Sequence, residues 1–270
     1  MSIRKSKEET ILGSTWYLVP LLLAAYVFTI YLIQPLAAEN MGSYVVSLTN
    51  VAFTALGAVM FLVVAKRFGW LRVKPGQITI AMSLGLVFWT LAEFTFMDYE
   101  IIGESPFPSL ADVFYVAGYL MFLIALFMNI RTIKMKFSSA MLAVWVALSA
   151  TALVLIAYFA VLPIIQAGID VTTAVALMYP ILDLLIVVLV LVILLKFRSG
   201  EVAKPWGFLI LGFILQAVGD TFFEYAQYTG TYTMAYHPAD MILSLGYSMI
   251  LAGAVFFIRA YRLPGGGSSA

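Results

Sequence analysis

The chain has 270 residues, is 63% hydrophobic and 11% charged, and carries a net charge of +1, whereas a soluble domain carries about 25% charged residues. So much apolar surface cannot be hidden in one core, and the chain reads as a polytopic membrane protein. It has no cysteine, which excludes disulfides, thiolate metal sites and cysteine nucleophiles; no nucleic-acid partner is expected.

Residues 1–14 form a basic start with Arg4, Lys5 and Lys7. An apolar run long enough to span follows without a small-residue cleavage pattern, so no cleaved leader is expected. Eight apolar runs come next, at 15–37, 44–66, 77–98, 109–130, 138–165, 172–196, 206–228 and 238–260, each near the roughly 20 residues a spanning helix needs. The connections are short, so sequence neighbours are expected to pack as antiparallel pairs. Residues 263–270 read as a linker or appended tail.

The 15 Lys and Arg residues fall before the first run, in the even-numbered connections (such as Arg72, Lys134 and Arg198) and after the eighth run. The positive-inside rule then places both termini in the cytoplasm of a cell-membrane protein. Trp16, Trp70, Trp145 and Trp206 fall near the same ends, as an interfacial belt would. Most acids lie in the spans or in the odd-numbered, outer connections.

Two stretches echo each other: Phe107-Pro108-Ser109-Leu110-Ala111-Asp112 with Gly118-Tyr119, and His237-Pro238-Ala239-Asp240 with Gly246-Tyr247. Pro35 and Pro163, Lys74-Pro75 and Lys204-Pro205, and Glu93 and Asp220 align at nearly the same offset. The expected fold is therefore an all-α membrane protein of eight transmembrane helices in two parallel four-helix repeats, 15–134 and 135–262. Four spans is an even number, so both repeats enter from one side, and the pseudo-twofold axis runs along the membrane normal.

Ser109 with Asp112 fits a capping box, and Pro238 with Asp240 a first helical turn. Both acids thus read as helix-start signals, and equally as paired carboxylates lining an outward cleft. Each is seven residues, two helical turns, from its Tyr119 or Tyr247, on one helix face. Glu93 and Asp220 lie well inside their spans, where an ionisable group costs a few kcal/mol and marks a functional suspect; the plainer reading is a carboxyl bonded to a Tyr, Thr or backbone carbonyl. Glu224, four residues after Asp220, shares its face, and Asp98 lies near the matching end of the third span. Asp183 follows Tyr179-Pro180, where it is expected to help satisfy the carbonyl that Pro180 frees. Its counterpart in the first half is an apolar residue or Asn50, depending on where the alignment gap falls. His237, the only histidine, stands at a helix start where Asp240, Glu224 and Tyr236 suggest a metal contact alongside the simpler reading of a solvated ring.

No lysine lies deep in a span, which excludes a retinal Schiff base, and one histidine builds neither a bis-histidine haem site nor a multi-histidine zinc site. No phosphate loop or nucleophilic triad is present, and no catalytic residue is assigned. The stretch Pro108-Ser109-Leu110-Ala111-Asp112-Val113-Phe114-Tyr115 with Gly118-Tyr119, together with Tyr179-Pro180-Ile181-Leu182-Asp183 and Gly219-Asp220, resembles the eight-span N-terminal membrane module found ahead of diguanylate cyclase and histidine kinase domains in bacteria and archaea. The resemblance implies a sensory role in or across the membrane, with Asp112, Tyr119, Asp183, Asp220, Asp240 and Tyr247 at the matching positions. No cyclase or kinase domain follows Arg262, so the resemblance also implies a removed output domain, a separate cytoplasmic signalling partner, or another job. Gly219-Asp220 is similar to eight-span lysoplasmalogenase-like hydrolases as well. Three functions stay open from the sequence: a sensory module binding a cation, amine or amphiphile without a built-in cofactor, a proton- or cation-coupled transporter or channel, and a carboxylate-based lipid hydrolase.

Overall fold

The computed structural model describes residues 16–33, 36, 41–104, 106–132, 138–168, 170–196, 203–232 and 237–260. The terminal segments 1–14 and 263–270 and the Pro35 end of the repeat alignment lie outside them. Among the described residues there are eight helices and no strand: α1 Leu18–Ile33, α2 Met41–Arg67, α3 Lys74–Ile102, α4 Leu110–Arg131, α5 Ser139–Gln166, α6 Val171–Lys196, α7 Ala203–Thr229 and α8 Pro238–Ala260. Seven are long and apolar enough to cross a membrane, and α1, with 16 described residues, is shorter. The chain is thus an all-helical protein of membrane type. Helices satisfy their own backbone groups, which hydrocarbon requires of a spanning segment.

Local chemistry sets the ends. Gly103, at φ 73°, closes α3 in the left-handed conformation that glycine adopts without cost. Helix α3 therefore runs past the expected stop at 98 and takes in Glu100. Asp170 and Thr173 cap α6 reciprocally, each backbone N–H meeting the other's side-chain oxygen at 2.7 Å; these bonds, first from the Thr173 backbone and then from its hydroxyl, hold the exposed Asp170 carboxyl below its ordinary range. Inside α5, Ala157–Val161 widens into a π turn directly before Pro163, which has no N–H for the preceding turn.

Six helices close a ring, in the order α2, α3, α4, α6, α7, α8 and back to α2. Helix α1 packs chiefly on α8, and α5 packs on α6 and α7. The expectation that sequence neighbours pair holds for most steps but not between α4 and α5. Instead α4 lies against α6, because the polar face that carries Asp112 and Tyr119 finds its partners, Tyr179 and Asp183, on that helix.

Close approach inside the ring depends on glycine. Gly118 on α4 faces the Gly85 carbonyl of α3, 3.0 Å from where a Cβ would stand, and Gly246 on α8 faces the Gly212 carbonyl of α7 at 3.1 Å. Over Gly118 lies Trp89, whose Nε1 donates to the Tyr115 carbonyl at 3.2 Å; over Gly246 lies Gln216, whose Nε2 donates to the Leu243 carbonyl at 3.0 Å. Aromatic rings fill the middle: Trp89 meets Tyr119, Phe122 and Tyr247 edge-on, and Phe122 meets Phe213.

The described Lys and Arg residues sit at the helix ends on one side of the ring. There Arg67 donates through Nη1 to the Ile258 carbonyl, and Arg259 lies over the Trp16 ring. The tryptophan belt holds only in part: Trp70 is exposed, but Trp206 is 4% exposed and packs on Phe257 in the core. Its position one turn into α7 points it at α8, a phase that position along the chain does not reveal.

Candidate functional site

At the end of the ring opposite the Lys and Arg residues, a cavity of about 520 Å³ opens between α2, α3, α4, α6, α7 and α8. Seven acids line it: Glu93, Glu100, Glu104, Asp112, Asp220, Glu224 and Asp240. Seven tyrosines share the wall, and among the described residues no Lys, Arg or His does. Most of these acids are instead held by hydrogen bonds.

Those bonds cross from helix to helix in a regular way. Glu93 of α3 is 5% exposed, and its Oε1 accepts the hydroxyls of Tyr247 on α8 at 2.5 Å and Tyr115 on α4 at 2.9 Å. The Asn50 amide of α2 reaches the same carboxylate, while its Oδ1 accepts Ser244 Oγ at 2.8 Å. Across the ring, the Tyr119 oxygen lies 2.7 Å from both Asp183 Oδ1 of α6 and Asp220 Oδ2 of α7. A phenol has one proton to donate. For both contacts to be hydrogen bonds, a second proton is needed within this trio, which joins α4, α6 and α7.

Asp112 joins capping and cleft. Its Oδ2 accepts from the Ser109 backbone N–H at 2.6 Å and from Ser109 Oγ at 2.9 Å, closing the capping box, while Oδ1 accepts the Tyr179 hydroxyl at 2.6 Å. A Ser109→Ala variant should lose about 1 kcal/mol of unfolding free energy, the usual worth of an N-cap, measured by denaturation in detergent, while Tyr179 keeps Asp112 in place. Asp240 takes the Tyr232 hydroxyl at 3.1 Å. Burial, and then the Asp240 charge, push the Tyr232 phenol up from its ordinary range.

The sequence-stated candidates do not all converge. Glu93, Asp112, Tyr119, Asp220, Glu224, Asp240 and Tyr247 line the cleft. Asp98 does not; it is exposed. It sits five positions beyond Glu93, about 140° around a helix, whereas Glu100, seven beyond, comes back to the same face. Glu100 accepts Ser47 Oγ at 2.6 Å and is the acid that takes the place given to Asp98. Asp183 meets the Tyr119 hydroxyl and not the carbonyl freed by Pro180, because α4 brings a donor to it; its Oδ2 has no partner. His237 spends Nδ1 on the Ala239 N–H at 3.2 Å, as a cap of α8, and does not line the cleft; Tyr236 lies outside the described residues. No group of three or more His, Cys, Asp or Glu among the described residues is placed to hold a metal ion. Tyr225 does not line the cleft and packs on Phe159. Tyr115, Tyr179 and Glu100 carried signals in the sequence, each lying three, four or seven residues from an intramembrane acid or its own bonding partner, but spacing along one helix does not identify a partner on another.

Compared with known protein families, with curated proteins and with solved structures, the chain matches none.

Proposed function

We propose that the protein is a membrane sensory module, a ligand-binding unit whose acidic, tyrosine-lined cleft faces the outer side while both termini lie in the cytoplasm. The observation that carries the reading is the lining: among the described residues, seven acids and seven tyrosines with no basic side chain. Such a wall is complementary to a cationic ligand. The placement of Lys and Arg at the opposite helix ends supports the orientation.

A duplicated architecture accounts for the paired contacts. Gly118 with Gly85 and Trp89 corresponds to Gly246 with Gly212 and Gln216. Tyr119 reaches the acids of the second half, and Tyr247 reaches the acid of the first. In this reading the two four-helix units are joined by two crossed tyrosine-to-carboxyl bonds at the cleft floor, and a ligand that competes for those carboxyl groups would shift one unit against the other. That is a route from an outer ligand to the cytoplasmic helix ends, in keeping with the resemblance to sensory modules at Pro108 to Tyr119.

The packing below the cleft favours binding over transport. Trp89, Phe122 and Phe213 fill the ring beneath it, each no more than 2% exposed, so an ion would meet rings where a channel would need water or polar groups. The test uses the full chain in lipid nanodiscs and in liposomes. Cationic solutes should raise the thermal midpoint of the wild type, and Asp220→Asn or Glu93→Gln should weaken that binding tenfold or more. Proteoliposomes should carry no cation flux above empty ones. A flux abolished by the same substitutions would replace this reading with a transporter, and lipid turnover lost with them would replace it with a hydrolase.

A further inference from the structure

The acids of the cleft are not equivalent. Asp112 has both oxygens engaged, by Ser109 and by Tyr179. Asp220 takes Tyr119, Glu93 takes two tyrosines, and Asp240 takes Tyr232. Glu224 is only 7% exposed and lines the cavity, yet among the described residues no hydrogen-bond donor reaches it. Asp112 and Asp220 stand close enough to act on it electrostatically, as it acts on Tyr179 and Tyr228. A buried carboxyl without a donor, beside two more carboxyls and facing an open cavity, lacks a partner that the protein does not supply.

We infer that this partner is a protonated organic amine, its ammonium seated at Glu224, with Asp112 and Asp220 on the same cavity wall, and its apolar body lying against tyrosine rings in the cleft. The inference rests on the ligand-binding reading above and names its ligand class. Three features separate an amine from a metal ion. The cavity, about 520 Å³, has the size of a small-molecule site and far exceeds a bare ion. Ca²⁺ needs six to eight converging oxygens and Mg²⁺ a near-octahedral set, whereas no three metal-binding side chains among the described residues are so placed. Tyr179 and Tyr228 line the same cavity, and aromatic rings attract an organic cation. An ammonium with N–H donors also matches the free Glu224 acceptors, which a quaternary cation cannot do.

The experiment is calorimetric titration of the full chain in phosphatidylcholine nanodiscs with phenethylamine, with its neutral analogue phenethyl alcohol and with CaCl₂. Phenethylamine should bind, and the alcohol at least tenfold more weakly. Glu224→Gln should reduce amine affinity tenfold or more while leaving the thermal midpoint near that of the wild type, since Glu224 has no donor to lose. If that variant does not fold, Tyr228→Leu takes its place and should weaken the amine several-fold. In phosphatidylethanolamine nanodiscs, unchanged amine binding assigns a free amine and lost binding assigns the lipid's own amine, both with the ammonium at Glu224. Equal binding of amine and alcohol, or full affinity in Glu224→Gln, overturns the ammonium. Calcium binding without amine binding overturns the amine class and leaves a cation-binding cleft; binding of neither probe brings down that reading too.

Discussion

A Tyr119→Phe variant is expected to lose about 3 kcal/mol of unfolding free energy, the cost of leaving two buried polar groups without partners at roughly 1–3 kcal/mol each. The phenol links Asp183 and Asp220, at 2.7 Å from each. Tyr119 and Asp183 are both 2% exposed, so on the Asp183 side the phenol is not readily replaced by water. At about 2–4 °C per kcal/mol for a chain of this size, the thermal midpoint in detergent should fall by roughly 6–12 °C. The ring itself stays, packed against Trp89 and Tyr179, so the loss reads out the hydroxyl alone. Adding Asp183→Leu to Tyr119→Phe should cost much less than the sum of the two changes, because removing both partners of a buried bond leaves less unsatisfied than removing one. A midpoint within 2 °C of the wild type for Tyr119→Phe, or strict additivity in the double variant, would show that the bridge does not hold α4, α6 and α7 together.

The second large effect separates two glycines that look alike in the sequence. A Cβ at residue 118 would stand 2.3 Å from Trp89 Cδ1 and 3.0 Å from the Gly85 carbonyl oxygen. Trp89 is held edge-on by Tyr119, Phe122 and Tyr247 and is 2% exposed, so it has nowhere to retreat. A Cβ at 246 would stand 2.7 Å from Gln216 Nε2 and 3.1 Å from the Gly212 carbonyl oxygen, and the Gln216 amide is the far end of a flexible side chain. Gly118→Ala should therefore cost about 2–3 kcal/mol, the upper part of the usual range for overpacking, even after the helix-propensity gain of up to about 1 kcal/mol. Gly246→Ala should cost about 1 kcal/mol or less. Denaturation in detergent gives both values, and equal costs would contradict the packing described for Trp89. Because Trp89 also touches both Tyr119 and Tyr247, Gly118→Ala should weaken the ligand binding proposed for the cleft more than Gly246→Ala does.

Parts of the site could be read from residues a few positions apart. Ser109 and Asp112 announced a helix start, and the structure places the box there. Glu93 and Asp220 stood out because a carboxyl within an apolar span is costly wherever it points. Asp98 misled because distance along the chain is not rotation about a helix: Glu100 shares the face of Glu93, and only the full extent of α3, closed by Gly103, makes that visible. Asp183 misled because its neighbour Pro180 offered a local partner, while the actual one, Tyr119, comes from another helix.

Sequence by itself determined the chemistry that depends on composition and short range: that the chain is helical and of membrane type, where most helices begin and end, that basic residues share one set of helix ends, and that acids and tyrosines recur at matching places in the two halves. Tertiary structure alone decided which tyrosine meets which acid, that α4 turns to α6 while α1 lies on α8, and that Glu224 is a buried carboxyl that no donor reaches among the described residues. The reason is physical. Helix formation and capping are settled by backbone groups within about four residues, whereas contacts between helices depend on rotational phase and packing angle, which side chains from all six ring helices set together.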